Sequence, residues 1–202
     1  MELINDVGIF DHFLSDDECC EVIKLFSVKA MVGSDGMDYI VDGITPHTCP
    51  TSIMELNDNN TLTINNKECV KCSNCPKMDI LLDNFWKNAW PGYSEKYPLL
   101  SNRKYDLLLS EIQKTLPGEG YPVEKSERQL SCVDSSRVVT YIIFLNDDFV
   151  GGETEFASKE MIITPKKGTL VLFPCNYTHD YKGNPPLSGE KYILTGWVDD
   201  IS

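Results

Sequence analysis

The chain has 202 residues, the length of one globular domain with room for an insertion. Its hydrophobic content of 42% supports a packed core, and its net charge of −13 argues against a nucleic-acid backbone or an anionic membrane as the main partner. No stretch approaches the roughly 18 consecutive apolar residues of a membrane span. The opening "MELINDVGIFDHFL" has no basic n-region and carries acids where an apolar one would be needed, so no secretory leader is expected. A cytoplasmic setting follows as an expectation. In such a setting the eight cysteines are thiols or metal ligands rather than a disulfide framework.

The first predicted element is a helix in "FLSDDECCEVIKLFS". Ser15 is an N-cap, Glu18 three residues on completes a capping box, and Asp16 and Asp17 suit the first turn. Cys19, Val22, Ile23 and Phe26 recur at helical spacing, which makes Cys19 or Cys20 a core residue. Residues 30–77 are rich in turn formers and hold half of the cysteines. Helical patterns follow in "MDILLDNFWKNAW", with Ile80, Leu81, Phe85 and Trp86 on a stripe, and in "RKYDLLLSEIQKTL", with Leu107, Leu108, Ile112 and Leu116. "PGEGYP" ends that pattern.

From 120 onward the chain reads as β. "RVVTYIIFLND" is β-branched and aromatic on both faces, as in a strand buried inside a sandwich. "DDFVGGETEFAS", "EMIITP", "TLVLFP" and "GEKYILTGWVD" supply further short strands separated by turns. Strands at this spacing mean a β-sandwich or jelly roll, so the fold class is α+β, mainly β.

The candidate chemistry sits in this half. His179 follows a strand, Lys191 lies 12 residues later inside the last strand, and Asp134 precedes the first long strand. Two imidazoles and a carboxylate hold Fe(II) while leaving open positions for a chelating cosubstrate and oxygen, and a lysine pairs with a carboxylate. Here Asp134 and His179 would be two of those ligands.

"FLNDDFVGGETEF", "ITPKKGTLVLFP" and "YTHDYKGNPPLSGEKYILTGWVDD", taken in that order, resemble the Fe(II)- and 2-oxoglutarate-dependent dioxygenases of the prolyl 4-hydroxylase-like group. The small members from bacteria, phages and large viruses are the most similar. "IFDHFLSDDECCEVIKLF" is similar to the family's opening strand and helix, so the resemblance covers 1–28 and 118–200 and leaves the middle uncovered. It implies a double-stranded β-helix (jelly-roll) core with flanking helices, and one oxygenase-like domain over 1–202. It implies Fe(II) as the metal, 2-oxoglutarate as cosubstrate and ascorbate as an accessory reductant. The substrate it implies is a peptide, a protein or a small amino acid, hydroxylated at a prolyl-like C–H bond.

Residue by residue, His179 matches the distal iron-ligand histidine and Asp134 the carboxylate of the family's His-x-Asp. Lys191 matches the lysine that takes the far carboxylate of 2-oxoglutarate, Thr154 a residue lining the cosubstrate pocket, and Trp197 an aromatic near the iron. Arg137 has no carried role. Gly151 and Gly152 serve backbone geometry at a tight turn.

The departure is Cys132, which stands where the family has the first histidine. A cysteine ligates iron only as a thiolate, which lowers the charge of the site by one and exposes an oxidisable sulfur to activated oxygen. Three readings stay open. Iron binds with Cys132 as ligand or bystander; the site is a degenerate jelly-roll binding module; or His12 or His47 supplies the missing ligand.

The middle carries a separate signal, a Cys-rich insertion over 45–77. "CVKCSNC" spaces Cys69, Cys72 and Cys75 as C-x2-C-x2-C, and "HTC" adds His47 and Cys49. Closely spaced soft ligands suit a tetrahedral structural Zn(II) site. Free thiols or a disulfide in a loop are the alternative. Oligomeric state has no sequence signal.

Overall fold

A computed structural model describes residues 1–27, 44–56, 62–72, 81, 83–101, 103–107, 110–119 and 136–202. Strands β1 (Glu2–Ile4) and β2 (Val7–Phe10) form a hairpin about Asn5 and Asp6, which lie at φ 50 and 67. Asn and Asp are the side chains that tolerate a left-handed two-residue turn. Helix α1 (Asp16–Ser27) begins with the expected capping box. The Glu18 backbone N–H donates to Ser15 Oγ, and the Ser15 N–H donates back to Glu18 Oε2 at 2.8 Å. Cys19 is buried in the core and Cys20 is exposed.

β3 (Ile44–Leu56) and β4 (Leu62–Cys72) pair along an antiparallel hairpin, and β4 also pairs with β6 (Ser110–Thr115). The segment that reads as turn-rich is thus, in its backbone, an extension of the main sheet. His47 stands directly opposite Cys69, whereas Cys72 stands opposite Ile44. Cys75 lies outside the described residues. The expected stripe around Phe85 is helical, with a π-turn over Phe85–Ala89 that leads into α2 (Trp90–Ser94). The widened turn precedes Pro91, which has no N–H to return to the Lys87 carbonyl. Leu81 and Phe85 are buried as the stripe requires, while Ile80 lies outside the described residues.

The helix expected over "RKYDLLLSEIQKTL" is not formed. β5 (Tyr105–Asp106) and β6 occupy that stretch, and β6 is hydrogen-bonded on both sides, to β14 and β4. Leu107 and Ile112 are buried, but Leu116 is exposed and Leu108 lies outside the described residues. Ser110, Glu111, Gln113 and Thr115 are all buried between neighbouring strands. Sheet pairing overrides a helical spacing whose residues have weak β propensity of their own.

The main sheet has nine strands in the order β1-β2-β11-β7-β14-β6-β4-β3, with β5 on the far end of β14. Its centre is β7 (Arg137–Phe144), β11 (Leu170–Pro174) and β14 (Lys191–Asp200). Facing it are β10-β9-β12 (Met161–Ile163, Thr154–Phe156, Lys182–Gly183) and the pair β13-β8 (Pro186–Ser188, Val150–Gly151).

Two apolar cores follow from strand alternation. Ile142, Phe144, Val171 and Phe173 pack between the layers against Phe156, Ile163 and Tyr181. Tyr141, Ile143, Leu172, Leu194 and Val198 pack on the other face of the main sheet, beneath Phe85, Trp90, Tyr93 and Cys19. The result is the jelly-roll double-stranded β-helix, with helices on its outer face. No helix among the described residues is long and apolar enough to cross a membrane.

Candidate functional site

The space between the layers is set by the inward face of β7 and β14. On β7 that face holds Thr140, Ile142 and Phe144. On β14 it holds Lys191, Ile193, Thr195, Trp197 and Asp199. The assignment follows from Ile142, Phe144 and Ile193 lying in the inter-layer core and from the period of two along a strand.

Lys191 starts β14 and is only 5% exposed. Its Nζ donates to the Gly152 carbonyl at 2.6 Å and lies 5.7 Å from the centre of the Phe144 ring. No ion pair involving Lys191 occurs among the described residues. Burial pushes its ammonium down to about 8, with Glu153 pulling the other way. Gly152 permits the close approach: it sits at φ +74, and a Cβ there would lie 2.8 Å from the Phe149 ring and 3.2 Å from Lys191 Cδ. The expected geometric role of this glycine holds, with one addition, since its carbonyl is also the lysine's partner. Thr154 is buried two residues on, paired across the inner layer with Ile163 and Gly183.

His179 closes a short 3-10 turn, Tyr177–His179, after β11, and is 3% exposed. The turn is held by the Asn176 side chain, which accepts the Thr178 N–H at 3.0 Å. His179 Nε2 lies 3.1 Å from the Asn5 carbonyl, and Nδ1 lies 2.9 Å from Thr178 Oγ1. A carbonyl only accepts, so in this arrangement Nε2 carries the proton and Nδ1 the lone pair. Burial lowers the pKa of the imidazole and keeps it neutral. The Asn5 turn is itself fixed, because Tyr93 Oη donates to the Asp6 carbonyl and Tyr97 Oη to Asp6 Oδ1.

Strand register orders these groups. Phe144 is opposite Ile193, Thr140 is opposite Trp197, and Arg137 is opposite Asp199. Pro174 is opposite Val139, so His179, five residues beyond it, belongs to the Arg137 end, and Lys191 to the other. The Arg137 guanidinium carbon stands 3.6 Å from the centre of the Trp197 ring. Asp199 is buried and accepts a hydrogen bond from Ser136 Oγ at 2.6 Å. The barrel therefore holds a buried ammonium at one end and a neutral imidazole and an indole at the other.

Cys132 and Asp134 lie outside the described residues, as does Cys75. His47, Cys49, Cys69 and Cys72 are placed only by backbone register. Among the described residues no three His, Cys, Asp or Glu side chains gather as a metal group. The carbonyls of Asn5 and Gly152 escaped sequence reasoning because backbone atoms leave no residue-type signal. Thr140 could have been found, as the polar residue inside the apolar run "VVTYIIF".

A buried ammonium with no anionic partner among the described residues is what a dicarboxylate would complete, so the chemistry of Lys191 fits 2-oxoglutarate. The neutral imidazole of His179 is donor chemistry a ferrous ion accepts. Its Nε2, however, now faces the Asn5 carbonyl.

Residues 121–199 match the family described as the 2OG-Fe(II) oxygenase superfamily. Among solved structures, the viral collagen prolyl hydroxylase of Paramecium Bursaria Chlorella virus-1, in its 2OG complex, shares the fold. Its TM-score is 0.64 at 18% identity, over 98% of this chain and 97% of that one. A protein of Acanthamoeba polyphaga mimivirus, provisionally named a prolyl 4-hydroxylase, is 33% identical over 107 residues, 43% of each chain. The alpha subunit of a dissimilatory-type sulfite reductase from Allochromatium vinosum is 28% identical over 112 residues, 55% of this chain and 25% of that protein. The two sequence matches thus span well under two thirds of those two relatives' lengths. The similarity to the 2OG-Fe(II) oxygenase superfamily thus rests on the match over residues 121–199 and on a fold shared with the viral prolyl hydroxylase.

Proposed function

We propose that the chain is an Fe(II)- and 2-oxoglutarate-dependent oxygenase acting on a C–H bond of a peptide, protein or amino acid, prolyl-like in character. The observation that carries the reading is Lys191, an ammonium buried in the inter-layer core whose hydrogen bond among the described residues goes to the Gly152 carbonyl. In this reading Lys191 takes the far carboxylate of the cosubstrate, and Thr154 lines the wall beside it. Asp134 and His179, with Cys132 in the position of the family's first histidine, would hold the iron. The iron, when bound, supplies the oxidising chemistry, and the chain supplies geometry and a shielded pocket. Phe144, Phe156 and Phe173 exclude water from the inter-layer core.

The deciding experiment is oxygen-free purification, addition of Fe(II) and 2-oxoglutarate, and measurement of succinate on admitting oxygen. Turnover or tight iron-dependent binding of 2-oxoglutarate is expected, and absence of both sinks the reading. Cys132→His separates the roles of the cysteine. A rise in iron affinity marks Cys132 as a lost histidine, and a fall marks it as a ligand.

The lysine also fixes a pH dependence. Binding a dianion requires the ammonium, and in the free protein that ammonium titrates at about 8. At pH 8 binding should therefore take up about half a proton, and at pH 6 almost none. Above pH 8 the affinity should fall by about tenfold per unit until the pKa of the complex is reached. Calorimetry in two buffers of different ionisation enthalpy reads the proton directly. Equal affinity at pH 7 and pH 9.5 would exclude Lys191 as the anchor.

A further inference from the structure

The turn that meets His179 also meets two phenols. Tyr97 Oη donates to Asp6 Oδ1 at 3.0 Å, and Tyr93 Oη donates to the Asp6 carbonyl at 2.9 Å. The neighbouring Asn5 carbonyl is 3.1 Å from His179 Nε2. Burial lowers the imidazole pKa, and the Asn5 carbonyl and the Asp6 carboxylate pull the other way, so the Asp6 charge lies within electrostatic reach of the ring. Behind Tyr97 the aromatics continue inward. Its ring centroid is 5.1 Å from that of Tyr93, which is 6.5 Å from that of Trp90.

A clamp on the turn needs only acceptors, and a carboxylate under a phenol offers more than that. A phenol that loses an electron becomes a strong acid, so the electron leaves readily only where a base stands within hydrogen-bond reach. Tyr97 has that base. Burial first, and the Asp6 hydrogen bond second, push its phenol up to about 12, so the proton stays on the oxygen until the electron goes. Its neighbours lack such a base. Tyr93 faces a carbonyl, and Tyr105 Oη is buried with no hydrogen-bond partner among the described residues. Tyr192 donates to Glu190, a carboxylate whose pKa the Lys114 ammonium already lowers.

We propose that Tyr97 and Asp6 form a redox-active pair at the His179 end of the barrel. A one-electron oxidant takes an electron from the Tyr97 phenol, the phenolic proton passes to Asp6 Oδ1, and a neutral phenoxyl beside a carboxylic acid remains. A one-electron donor from solution returns the electron, and the proton goes back to the phenol oxygen. Only the source of the oxidant rests on the oxygenase reading given above, because oxidising chemistry at His179 with no C–H bond to attack leaves an oxidising equivalent to remove. The pair diverts that equivalent from side chains whose oxidation is irreversible.

The first test needs no iron. Photo-oxidised tris(bipyridine)ruthenium(III) is the oxidant for the full chain, and transient absorption with EPR reads the phenoxyl. The wild type should show a fast phase that slows in heavy water, and Tyr97→Phe should abolish it. Asp6→Asn should slow it by about tenfold or more, since the amide keeps the hydrogen bond and the left-handed turn but is a far weaker base. Tyr177→Phe, at a phenol 81% exposed, should leave it unchanged. A fast phase that persists unaltered in Tyr97→Phe or in Asp6→Asn overturns the pair. The second test adds Fe(II), 2-oxoglutarate and oxygen with no further substrate. Oxidation located by peptide mass spectrometry should fall on Tyr97, and Tyr97→Phe should inactivate faster than wild type. If turnover leaves Tyr97 unmodified and both proteins inactivate at one rate, the pair is cut off from the site and its role is overturned. If the wild type binds neither iron nor 2-oxoglutarate, the oxygenase reading falls, and the photochemical result decides the pair by itself.

Discussion

Replacing Lys191 by methionine is expected to weaken 2-oxoglutarate binding by at least about 100-fold while leaving the ligand-free protein as stable as wild type, or more so. The two effects have opposite sign for one reason. The folded-state pKa of this lysine is lowered from 10.5 to about 8, so the fold disfavours the charge at neutral pH by about 3 kcal/mol. For a group depressed in the folded state, the penalty is complete below about pH 8 and fades as pH rises toward 10.5. The wild-type, ligand-free protein should therefore gain stability across that window, and Lys191→Met should show no such gain. Methionine keeps most of the side-chain volume among Phe144 and the Gly152 backbone, and it forfeits the hydrogen bond to the Gly152 carbonyl, worth about 1 kcal/mol. Urea unfolding at pH 7 and pH 9.5, beside a binding titration, reads all three. A methionine variant that unfolds more easily at pH 7 would show that the lysine supports the barrel rather than a ligand.

The second large effect lies away from the site. Gly168, in the turn before β11, is at φ +77, its N–H donates to the Phe144 carbonyl at 2.8 Å, and its carbonyl accepts the Leu14 N–H at 3.0 Å. A Cβ at this position would land on the Leu14 carbonyl oxygen. Gly168→Ala is therefore expected to cost about 3 kcal/mol or more. Left-handed backbone costs an alanine about 1–2 kcal/mol, and the clash separates the start of α1 from the barrel. Chemical denaturation should show a lowered midpoint, with exchange of the Leu14 amide accelerated. By contrast, Gly118 has open space around it, so Gly118→Ala meets only the φ strain and should lose less. Equal losses at the two positions would mean that the Leu14 contact is incidental.

The legible parts of the chain share a property: local chemistry and the fold agree there. Ser15 and Glu18 announce a helix start that forms as written, and the run "VVTYIIF" is buried on both faces as a central strand should be. Lys191, singled out inside the last strand, is buried there. β6 shows where legibility ends. Its Glu, Gln and Lys have no strand preference, the leucines on either side of it fit a helical spacing, and hydrogen bonds from β14 and β4 make it a strand. The hairpin β3–β4 was similarly hidden behind prolines and asparagines. At the candidate site, residue type singles out the lysine and the histidine, but the atoms beside them are carbonyls of Gly152 and Asn5, which any residue could provide.

The Asn5 contact ties two distant parts of the chain into one equilibrium. Asn5 and His179 are 174 residues apart, yet one hydrogen bond joins the first turn of the molecule to the imidazole at the mouth of the barrel. Any partner that engages Nε2 displaces the Asn5 carbonyl, and any force that holds the turn in place disfavours that partner by the same free energy. The tyrosine clamp on Asp6 is therefore a ballast on the site. Amide exchange in the first ten residues becomes a gauge of what occupies a histidine near the opposite end of the sequence.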